Sequence, residues 1–478
     1  MSFLIPLIFF GWPPFVIFLY WCLPPRRALV ISFITAYLFL PVYDYVLPGL
    51  PPYGKMSATC YATVIAVLCY DIKCFKSFRP SVIDLPMLFW CSAPLIASVT
   101  NGLGSYDGFR ATSERIALWV VPYFFGRVYL NSLSGLRELA IGIFAGGLTY
   151  VPLCLLEFKI SPILHARVYG IAVSEYAWGQ SIRKGGYRPI LFTVHGLSVA
   201  LWMMAATLIG VWLWQSGSLK RFWNISMKWL VLALLLIMVL IQSTGALLCV
   251  ILGLVALFTA KWLRSSIVVL LLIGMISSYL YVGTTGNFNG DQVIAAVSTA
   301  INPDRAESLQ FRLDQEKGLV VRARQRMIFG WAGWSRSRIF NEWGKDVSVT
   351  DSFWVIVFGN TGLYGIISGV VVLLLPTVLF TYYYPARAWS HPKIAPAAAI
   401  AVVLVNYMID NLANALTMPV FVLAVGGLSG LVAKELESDH LGNDGITFSV
   451  ADNFLTESQH PPHKFLSEVR SDDVDQVF

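Results

Sequence analysis

Residues 245–284 read GALLCVILGLVALFTAKWLRSSIVVLLLIGMISSYLYVGT, two apolar runs on either side of a short basic turn. A helix needs roughly 20 mostly apolar residues, rising 1.5 Å each, to cross the hydrocarbon core of a bilayer. Apart from Lys261, at the turn, neither 245–261 nor 266–284 carries a charge. The stretch therefore predicts two membrane-spanning helices joined by a cationic turn.

The composition of the whole chain agrees with this stretch. Of 478 residues, 57% are hydrophobic and 13% are charged, and the mean hydropathy is +0.67. Soluble proteins average about 45–50% apolar and about 25% charged residues. The seven cysteines lie in or beside apolar runs, which indicates core packing and excludes a secreted disulfide scaffold. The sequence predicts an all-α polytopic membrane protein.

Apolar runs bounded by charges or by Gly, Pro and Asn predict about 13 transmembrane helices, a large helical outer loop and a short cytoplasmic tail. The first run lacks a basic segment before it, so it is not a cleavable signal. The predicted spans are 3–23, 28–47, 56–71, 83–100, 115–130, 138–156, 189–214, 228–242, 245–261, 266–284, 352–380, 396–412 and 418–433. Residues 1–284 thus hold helices 1–10, with an outer loop at about 157–188. Residues 285–350 form an extracytoplasmic helical loop, 351–433 hold helices 11–13, and 434–478 form an acidic, disordered cytoplasmic tail.

Basic residues in the short loops predict the orientation, because these are enriched on the cytoplasmic side. Loops of one parity hold fourteen Lys and Arg, whereas loops of the other parity hold three, Lys55, Arg110 and Arg115. This places the N-terminus outside and the C-terminus in the cytoplasm. The cytoplasmic set is Arg26, Arg27, Lys73, Lys76, Arg79, Arg127, Arg137, Lys220, Arg221, Lys228, Lys261, Arg264, Arg387 and Lys393.

The two long outer loops hold five and nine basic residues, which the topology does not require. In the second loop, Asn302-Pro303-Asp304 predicts the start of a helix. From Lys317 to Arg338 six basic residues occur without an acid, among aromatic side chains. Such a basic, aromatic helix lies in the membrane interface, or else some of its guanidiniums bind a diphosphate by bidentate contacts.

Further polar groups lie at the predicted outer ends of spans. The first long loop ends with Tyr187 and Arg188, and the next span contains His195. Asp351 and Ser352 begin the eleventh span, where Asp351 alternatively serves only as a helix cap. A polar cluster at the outer end of the twelfth span comprises Asn406, Asp410, Asn411 and Asn414. Ionisable groups at such depth indicate a protein or water-filled interior.

Several of these segments resemble the bacterial O-antigen ligase and O-antigen or exopolysaccharide polymerase superfamily, over roughly residues 185–430. RPILFTVHG at 188–196 is similar to the family's Arg-led entry to a span, and QSTGALLCVILGL at 242–254 to its Ser-Arg-Gly hairpin. Arg312-Leu313 resembles the opening of the loop helix, and GWAGW at 330–334 resembles the Gly-x-Gly segment. DSFWVIVFGNTGLYG at 351–365 resembles a His-Asn-led helix that ends Gly-Leu-x-Gly.

Two departures distinguish the chain from the ligases of that family. Thr244 occupies the position at which many ligases have an Arg. Asp351-Ser352 replace the His-Asn pair of the ligases, whose histidine is assigned the catalytic role. An acidic residue at this point is more similar to some polymerases.

The resemblance implies a metal-independent glycosyltransferase that joins polyprenyl-diphosphate-linked oligosaccharides on the outer face of the bacterial plasma membrane, with no cofactor. The implied partners are that glycan, membrane lipids and other polysaccharide-assembly proteins, without nucleic acid. Phosphate clamps then stabilise the departing diphosphate, and a carboxylate orients or deprotonates the acceptor hydroxyl. We assign Arg188 and Arg312 as clamps and Asp351 as the base or orienting group. Substrate contacts are expected at Arg322, Arg326, Tyr187, His195, Ser352 and Asp410.

Three alternatives remain open on the sequence. The first is ligase-type transfer of a glycan to a lipid or protein acceptor. A lipid-linked sugar flippase would show internal repeats and charges near the membrane midplane. A structural component of a secretion assembly would use the acidic tail for docking.

Overall fold

Helices dominate the computed structural model, which describes residues 3–46, 51–173, 178–183, 185–286, 299, 303–333, 335–349 and 351–441. The principal helices are α1 (Leu4–Cys22), α2 (Pro25–Phe39), α3 (Lys55–Tyr70), α4 (Leu85–Thr100), α5 (Ser105–Arg115), α6 (Val121–Tyr129), α7 (Leu133–Ile160), α8 (Gly196–Gln215), α9 (Met227–Leu240), α10 (Thr244–Trp262), α11 (Ile267–Thr285), α12 (Pro303–Arg324), α13 (Phe353–Tyr383), α14 (Ala395–Ala413) and α15 (Pro419–Leu441). Shorter helices occur at Cys74–Ser77, Val82–Asp84, Leu164–Tyr169 and Ala386–Ala388.

Length and composition identify the helices that are able to cross a membrane. In the described part of the chain nine are long and apolar enough, and α3 and α9 are shorter apolar helices. The protein is therefore a mostly helical, membrane-embedded protein. Each of the thirteen segments expected from the sequence overlaps a helix, while the total of thirteen crossings stays a prediction.

Strands are confined to two short antiparallel hairpins within the described ranges. One pairs Ile182–Arg183 with Gly186–Tyr187, and the other pairs Arg221–Phe222 with Ile225–Ser226. The first hairpin leads directly into Arg188, whose backbone N–H donates to the Ser181 carbonyl at 2.7 Å. It thereby fixes where the chain enters the bundle.

Three boundaries differ from the expectations. The helical segment expected at 115–130 begins earlier, because α5 continues through a π turn at Ile116–Val120 into α6. The basic helix expected to reach Arg338 ends at Arg324, and turns follow it. Helix α15 extends through residues 434–441, where the tail was expected to begin, and the remainder of that tail, 442–478, lies outside the described residues.

A break divides α13, which the apolar sequence predicted as one continuous span. Gly362 has φ 64° and ψ −160°, far from helical values. Residues 327–333, which we call the inserted segment, lie against the break and bond to both sides of it. The amides of Leu363 and Tyr364 donate to the carbonyls of Met327 and Ile328 at 2.9 and 3.1 Å. These bonds satisfy backbone groups that the break would otherwise leave unpaired inside the protein.

Two glycines allow the backbones to approach this closely. A Cβ on Gly362 would lie 2.3 Å from the Ile328 carbonyl oxygen, and a Cβ on Gly330 would lie 2.5 Å from the Asn360 carbonyl carbon. Both residues also have positive φ, which side chains other than glycine rarely adopt. The glycines noted at 330 and within 351–365 therefore belong to one packing contact.

Helices α8 and α14 form the centre of the bundle. Over the apolar stretch of each helix, 94% of the residues in α8 and 89% of those in α14 are buried, so neither helix presents a large surface to lipid. Helix α8 packs against α7, α9, α10 and α14. His195 precedes α8 and Asp410 lies near the end of α14, which places both at the same end of the central pair. We call this end the cluster face.

The other end of the bundle, the opposite face, carries its own ion pairs. Arg127 Nε lies 2.9 Å from Asp84 Oδ1, and both side chains are largely buried. Arg27 Nε lies 3.1 Å from Glu138 Oε1 in a more exposed setting. Arg127 packs beside α15 near Gly430, more than two turns beyond its start at Pro419. The opposite face is thus separated from the cluster face by the length of a helix.

Candidate functional site

Arg312 joins three elements at the cluster face. Its Nε lies 3.8 Å from Asp351 Oδ2, just before α13. Its Nη1 donates to the Ala413 carbonyl at 3.0 Å and to Asn414 Oδ1 at 3.4 Å, at the end of α14. A guanidinium at a helix C-terminus is favoured by the helix dipole. The Arg312 and Asp351 side chains remain 30% and 37% exposed, so both are accessible to a ligand.

Arg188 makes a similar contact with the carbonyl end of another helix, α9. It is 5% exposed, and its Nε and Nη2 donate to the carbonyls of Ile241 and Gln242 at 3.4 and 3.0 Å. These carbonyls follow α9 and precede α10. The two arginines assigned as clamps therefore each bind the carbonyl end of a helix, and this contact alone accounts for part of their presence.

His195 lies within electrostatic range of both arginines. Burial, together with the positive charges of Arg188, Arg312 and Arg183, lowers the pKa of His195 to about 4. Its Nδ1 accepts the Leu197 N–H at 3.1 Å, so Nε2 carries the proton and donates to Gln180 Oε1 at 3.0 Å. At neutral pH His195 is an uncharged helix cap with both ring nitrogens engaged.

Asp410 completes the cluster from within the bundle. It is 8% exposed and interacts with the Asn414 side chain and the Arg312 charge. Gly245, at the start of α10, lies beside it, because an added Cβ there would be 4.0 Å from Asp410 Oδ1. Asp410 Oδ2 has no hydrogen-bond partner among the described residues, nor do the amide atoms of the nearby Asn406. Buried polar groups rarely stay unpaired, so the position favours water or a ligand.

Glu316 is a member of the site that sequence reasoning missed. It accepts hydrogen bonds from the Ser352 hydroxyl and, at 2.9 Å, from the Tyr279 hydroxyl. Burial raises the pKa of the Glu316 carboxyl above its ordinary value, and the hydrogen bonds and the Arg312 charge oppose this rise. Its spacing of four residues from Arg312 on a predicted helix was the available signal, since such residues share a face.

Arg322 and Arg326 lie apart from the cluster. Arg322 is ten residues beyond Arg312, about 15 Å along the helix axis. The guanidinium carbons of Arg322 and Arg326 lie 3.8 and 5.5 Å from the Trp331 ring centroid, so both contact the same ring, and Arg326 lies beyond the end of α12. Arg322 also donates to Gln325 and to the Arg336 carbonyl. These contacts stabilise the inserted segment.

Of the remaining residues expected to contact the substrate, one lies in the cluster and one lies apart from it. Ser352 is buried in the cluster through its bond to Glu316. Tyr187 lies in the hairpin opposite Ile182, and within the described ranges its side chain makes no polar contact with the cluster. The structure thus brings together Arg188, His195, Arg312, Asp351, Ser352 and Asp410, which we call the arginine cluster.

The arginine cluster combines two guanidiniums, an accessible carboxylate and a buried carboxylate oxygen without a partner in the described part. Guanidiniums bind phosphate oxygens and stabilise developing negative charge, while a carboxylate accepts a proton from a hydroxyl. The arrangement is chemically suited to an anionic leaving group beside a nucleophilic hydroxyl. No protein-family model matches the chain, and a search of curated proteins returns no match.

Proposed function

We propose that the protein is a polysaccharide polymerase-like glycosyltransferase, which joins polyprenyl-diphosphate-linked oligosaccharides at the outer face of the bacterial plasma membrane. The observation that carries the proposal is the convergence of Arg188, Arg312 and Asp351 at one end of the bundle, although each lies at least 39 positions from the next in the sequence. The family resemblance of the segments around these residues supports the same activity.

The roles of the residues follow from their positions. The donor diphosphate lies against Arg312 and Arg188, whose positive charges stabilise the charge that develops as it leaves. The acceptor hydroxyl lies against Asp351. Its oxygen forms a bond to the anomeric carbon of the donor, while the bond from that carbon to the phosphate oxygen breaks. The hydroxyl proton passes to the Asp351 carboxylate, and the electron pair of the broken bond leaves with the lipid diphosphate.

Helix capping is the competing explanation for the two arginines. Capping requires only the donors that face the carbonyls of residues 241, 242 and 413. It does not require Asp351 at 3.8 Å from Arg312, nor an unpartnered Asp410 oxygen in the described part of the interior. The carboxylates therefore favour a binding site over caps alone.

The test is the lipid-linked glycan profile of a strain that lacks the protein. Accumulation of single repeat units on the lipid supports the polymerase proposal. Long, unattached chains overturn it in favour of ligase-type transfer. Units retained on the cytoplasmic side overturn it in favour of a flippase, and an unchanged profile overturns it altogether.

A further inference from the structure

A crevice with mixed apolar and polar walls adjoins the arginine cluster. It consists of two neighbouring cavities of about 320 and 620 Å³, which share Glu114, Leu118, Ala415 and Thr417 as lining residues. The first cavity extends towards α3, and the second extends between α4 and α5 towards the break in α13. Each lies within the range of roughly 300–1,000 Å³ that is typical of small-molecule sites.

Glu114 is the charged group common to both cavities. The residue as a whole is exposed. Protein atoms around its carboxyl nevertheless exclude part of the solvent, and this desolvation raises the pKa of the Glu114 carboxyl above the ordinary value. Arg110 and Arg115 oppose this rise through their charges, and Asp44 adds to it. Among the described residues the Glu114 carboxylate makes no hydrogen bond, so its oxygens are open to a ligand.

The charges of the crevice are balanced, unlike those of the arginine cluster. Three acidic and three basic side chains line it: Asp44, Asp107 and Glu114, with Lys55, Arg110 and Arg115. Two of the basic groups are already engaged. Lys55 donates to the Tyr37 and Phe192 carbonyls at 2.8 and 2.9 Å, and Arg115 donates to the Trp90 carbonyl at 2.9 Å. Balanced charges beside apolar walls suit a neutral ligand that carries both hydroxyls and apolar ring faces better than an anion.

The crevice and the cluster are joined through two short segments. Thr193 and Val194 line the first cavity and immediately precede His195. Ala415 lines both cavities and immediately follows Asn414, which binds Arg312. The crevice therefore lies next to the arginine cluster along two chain segments, so that an acceptor chain in the crevice is near Asp351, while the donor diphosphate lies at the arginines.

The floor of the second cavity supports a binding role. It is formed in part by Ala332 and Gly333 of the inserted segment and by Asn360 and Thr361 at the break in α13. Broken helices at membrane depth are tolerated where they lie against protein or line a polar cavity. The inserted segment and the break thus bring Asn360 and Thr361 to the wall of this cavity.

We propose that this crevice binds the saccharide chain of the acceptor, with the Glu114 carboxylate accepting hydrogen bonds from its hydroxyls. The proposal deepens the proposed function and rests on it, since that function supplies a saccharide to this face. It assigns the diphosphate to the arginine cluster and the sugars to the crevice.

The test separates the two ligands. Saccharide is released by mild acid from the lipid-linked pool of the deletion strain, so that it carries no diphosphate. Its binding to the purified full-length protein is followed by hydrogen–deuterium exchange and by titration calorimetry. We expect protection of Ser105–Arg115 and of residues 415–418. Glu114→Gln should weaken binding by about tenfold, as for loss of a hydrogen bond to a charged group.

Two further variants control the result. Ala111→Trp places a bulky side chain at an exposed position of the second cavity and should abolish binding if the saccharide lies there. Glu138→Gln removes a carboxylate at the opposite face and should leave binding unchanged. Arg312→Ala should retain saccharide binding, because that ligand has no diphosphate.

The outcomes distinguish this inference from the proposed function. If the deletion strain accumulates no lipid-linked saccharide, the proposed function fails. If the saccharide accumulates but wild-type protein does not bind it, the assignment of the crevice is overturned while the proposed function stands. Equal binding to the wild type, Glu114→Gln and Ala111→Trp also overturns it, because the saccharide then lies elsewhere.

Discussion

Arg312 Nε lies 3.8 Å from Asp351 Oδ2, and the same guanidinium donates to the last carbonyl of α14. One side chain thus connects the loop helix α12 to the start of α13 and to the end of α14. In the proposed reaction this contact holds the carboxylate for the acceptor beside the guanidinium for the diphosphate.

Substitution of Arg312 should affect activity more than folding. Arg312→Lys retains the positive charge but lacks the planar fork that contacts two oxygens at once. We expect polymer formation to fall by about 10²-fold or more in Arg312→Lys and in Asp351→Asn, the scale seen when one stabilising donor is lost. Polymer formation in the deletion strain, normalised to the protein in the membrane, measures the effect.

Arg338→Lys is the matched control for Arg312→Lys. Arg338 also pairs with an aspartate, Asp346, in the same loop, but away from the arginine cluster. Its substitution should leave polymer formation within about threefold of wild type, since Lys retains the charge that pairs with the partly buried Asp346. Equal losses in the two variants would show that the loop needs arginines for stability and would contradict the role of Arg312.

The histidine reports whether the arginine cluster is assembled as described. Arg312 and Arg188 lower the pKa of His195 by repulsion of its protonated form, so removal of one positive charge should raise that pKa. In Arg312→Ala we expect the His195 pKa to rise from about 4. Titration by NMR of histidine-labelled protein, assigned with His195→Asn, measures it. An unchanged value would place Arg312 too far away for the proposed site.

The Glu316 carboxyl should give the loop a distinct pH dependence. Its pKa is raised in the folded protein from an ordinary value of 4.5, so the folded state binds the proton more tightly than the unfolded state. The stabilisation from this group is fully present below the ordinary pKa and is lost as pH rises through the raised one. We expect the Tm difference between wild type and Glu316→Gln to decrease as the pH rises above the ordinary pKa of 4.5. A constant difference would contradict the burial of this carboxylate.

The break in α13 should be intolerant of added side chains. Gly362→Ala and Gly330→Ala each place a Cβ within 2.5 Å of backbone atoms, at positive φ. We expect each to cost about 1–3 kcal/mol of stability, visible as a lower Tm and less protein in the membrane. Gly274→Ala in α11 is the control, since its Cβ meets nothing within 4 Å. If Gly362→Ala and Gly274→Ala behaved alike, the inserted segment would not lie at the break.

The sequence allowed the helices to be located because hydrophobic length is a local property. It also predicted that residues 188, 312, 351 and 410 share one end of the bundle, because alternation of spans determines the side. It could not predict their contacts, since the distance from Arg312 to Asp351 depends on how α12 packs against α13 and α14.

Other features escaped prediction for identifiable reasons. The break at Gly362 lies in a continuous apolar run and depends on a segment some 30 residues earlier that supplies its hydrogen bonds. Glu114 and Glu316 lie in polar stretches, where a carboxylate usually indicates a solvated surface. Only the tertiary structure shows that Glu316 is partly buried and that Glu114 lines a crevice. Lys55, Arg110 and Arg115 counted only as minor loop charges, yet all three line the crevice.

The central claim is that the arginine cluster binds the diphosphate of a lipid-linked saccharide and transfers its sugar chain. The most direct measurement incubates purified protein with lipid-linked saccharides extracted from the deletion strain and resolves the products by chain length. We predict that wild-type protein converts single units into longer lipid-linked chains with release of the lipid diphosphate, and that Arg312→Lys at equal concentration does not. Saccharides that remain single units with folded wild-type protein, or equal conversion by Arg312→Lys, would contradict the account.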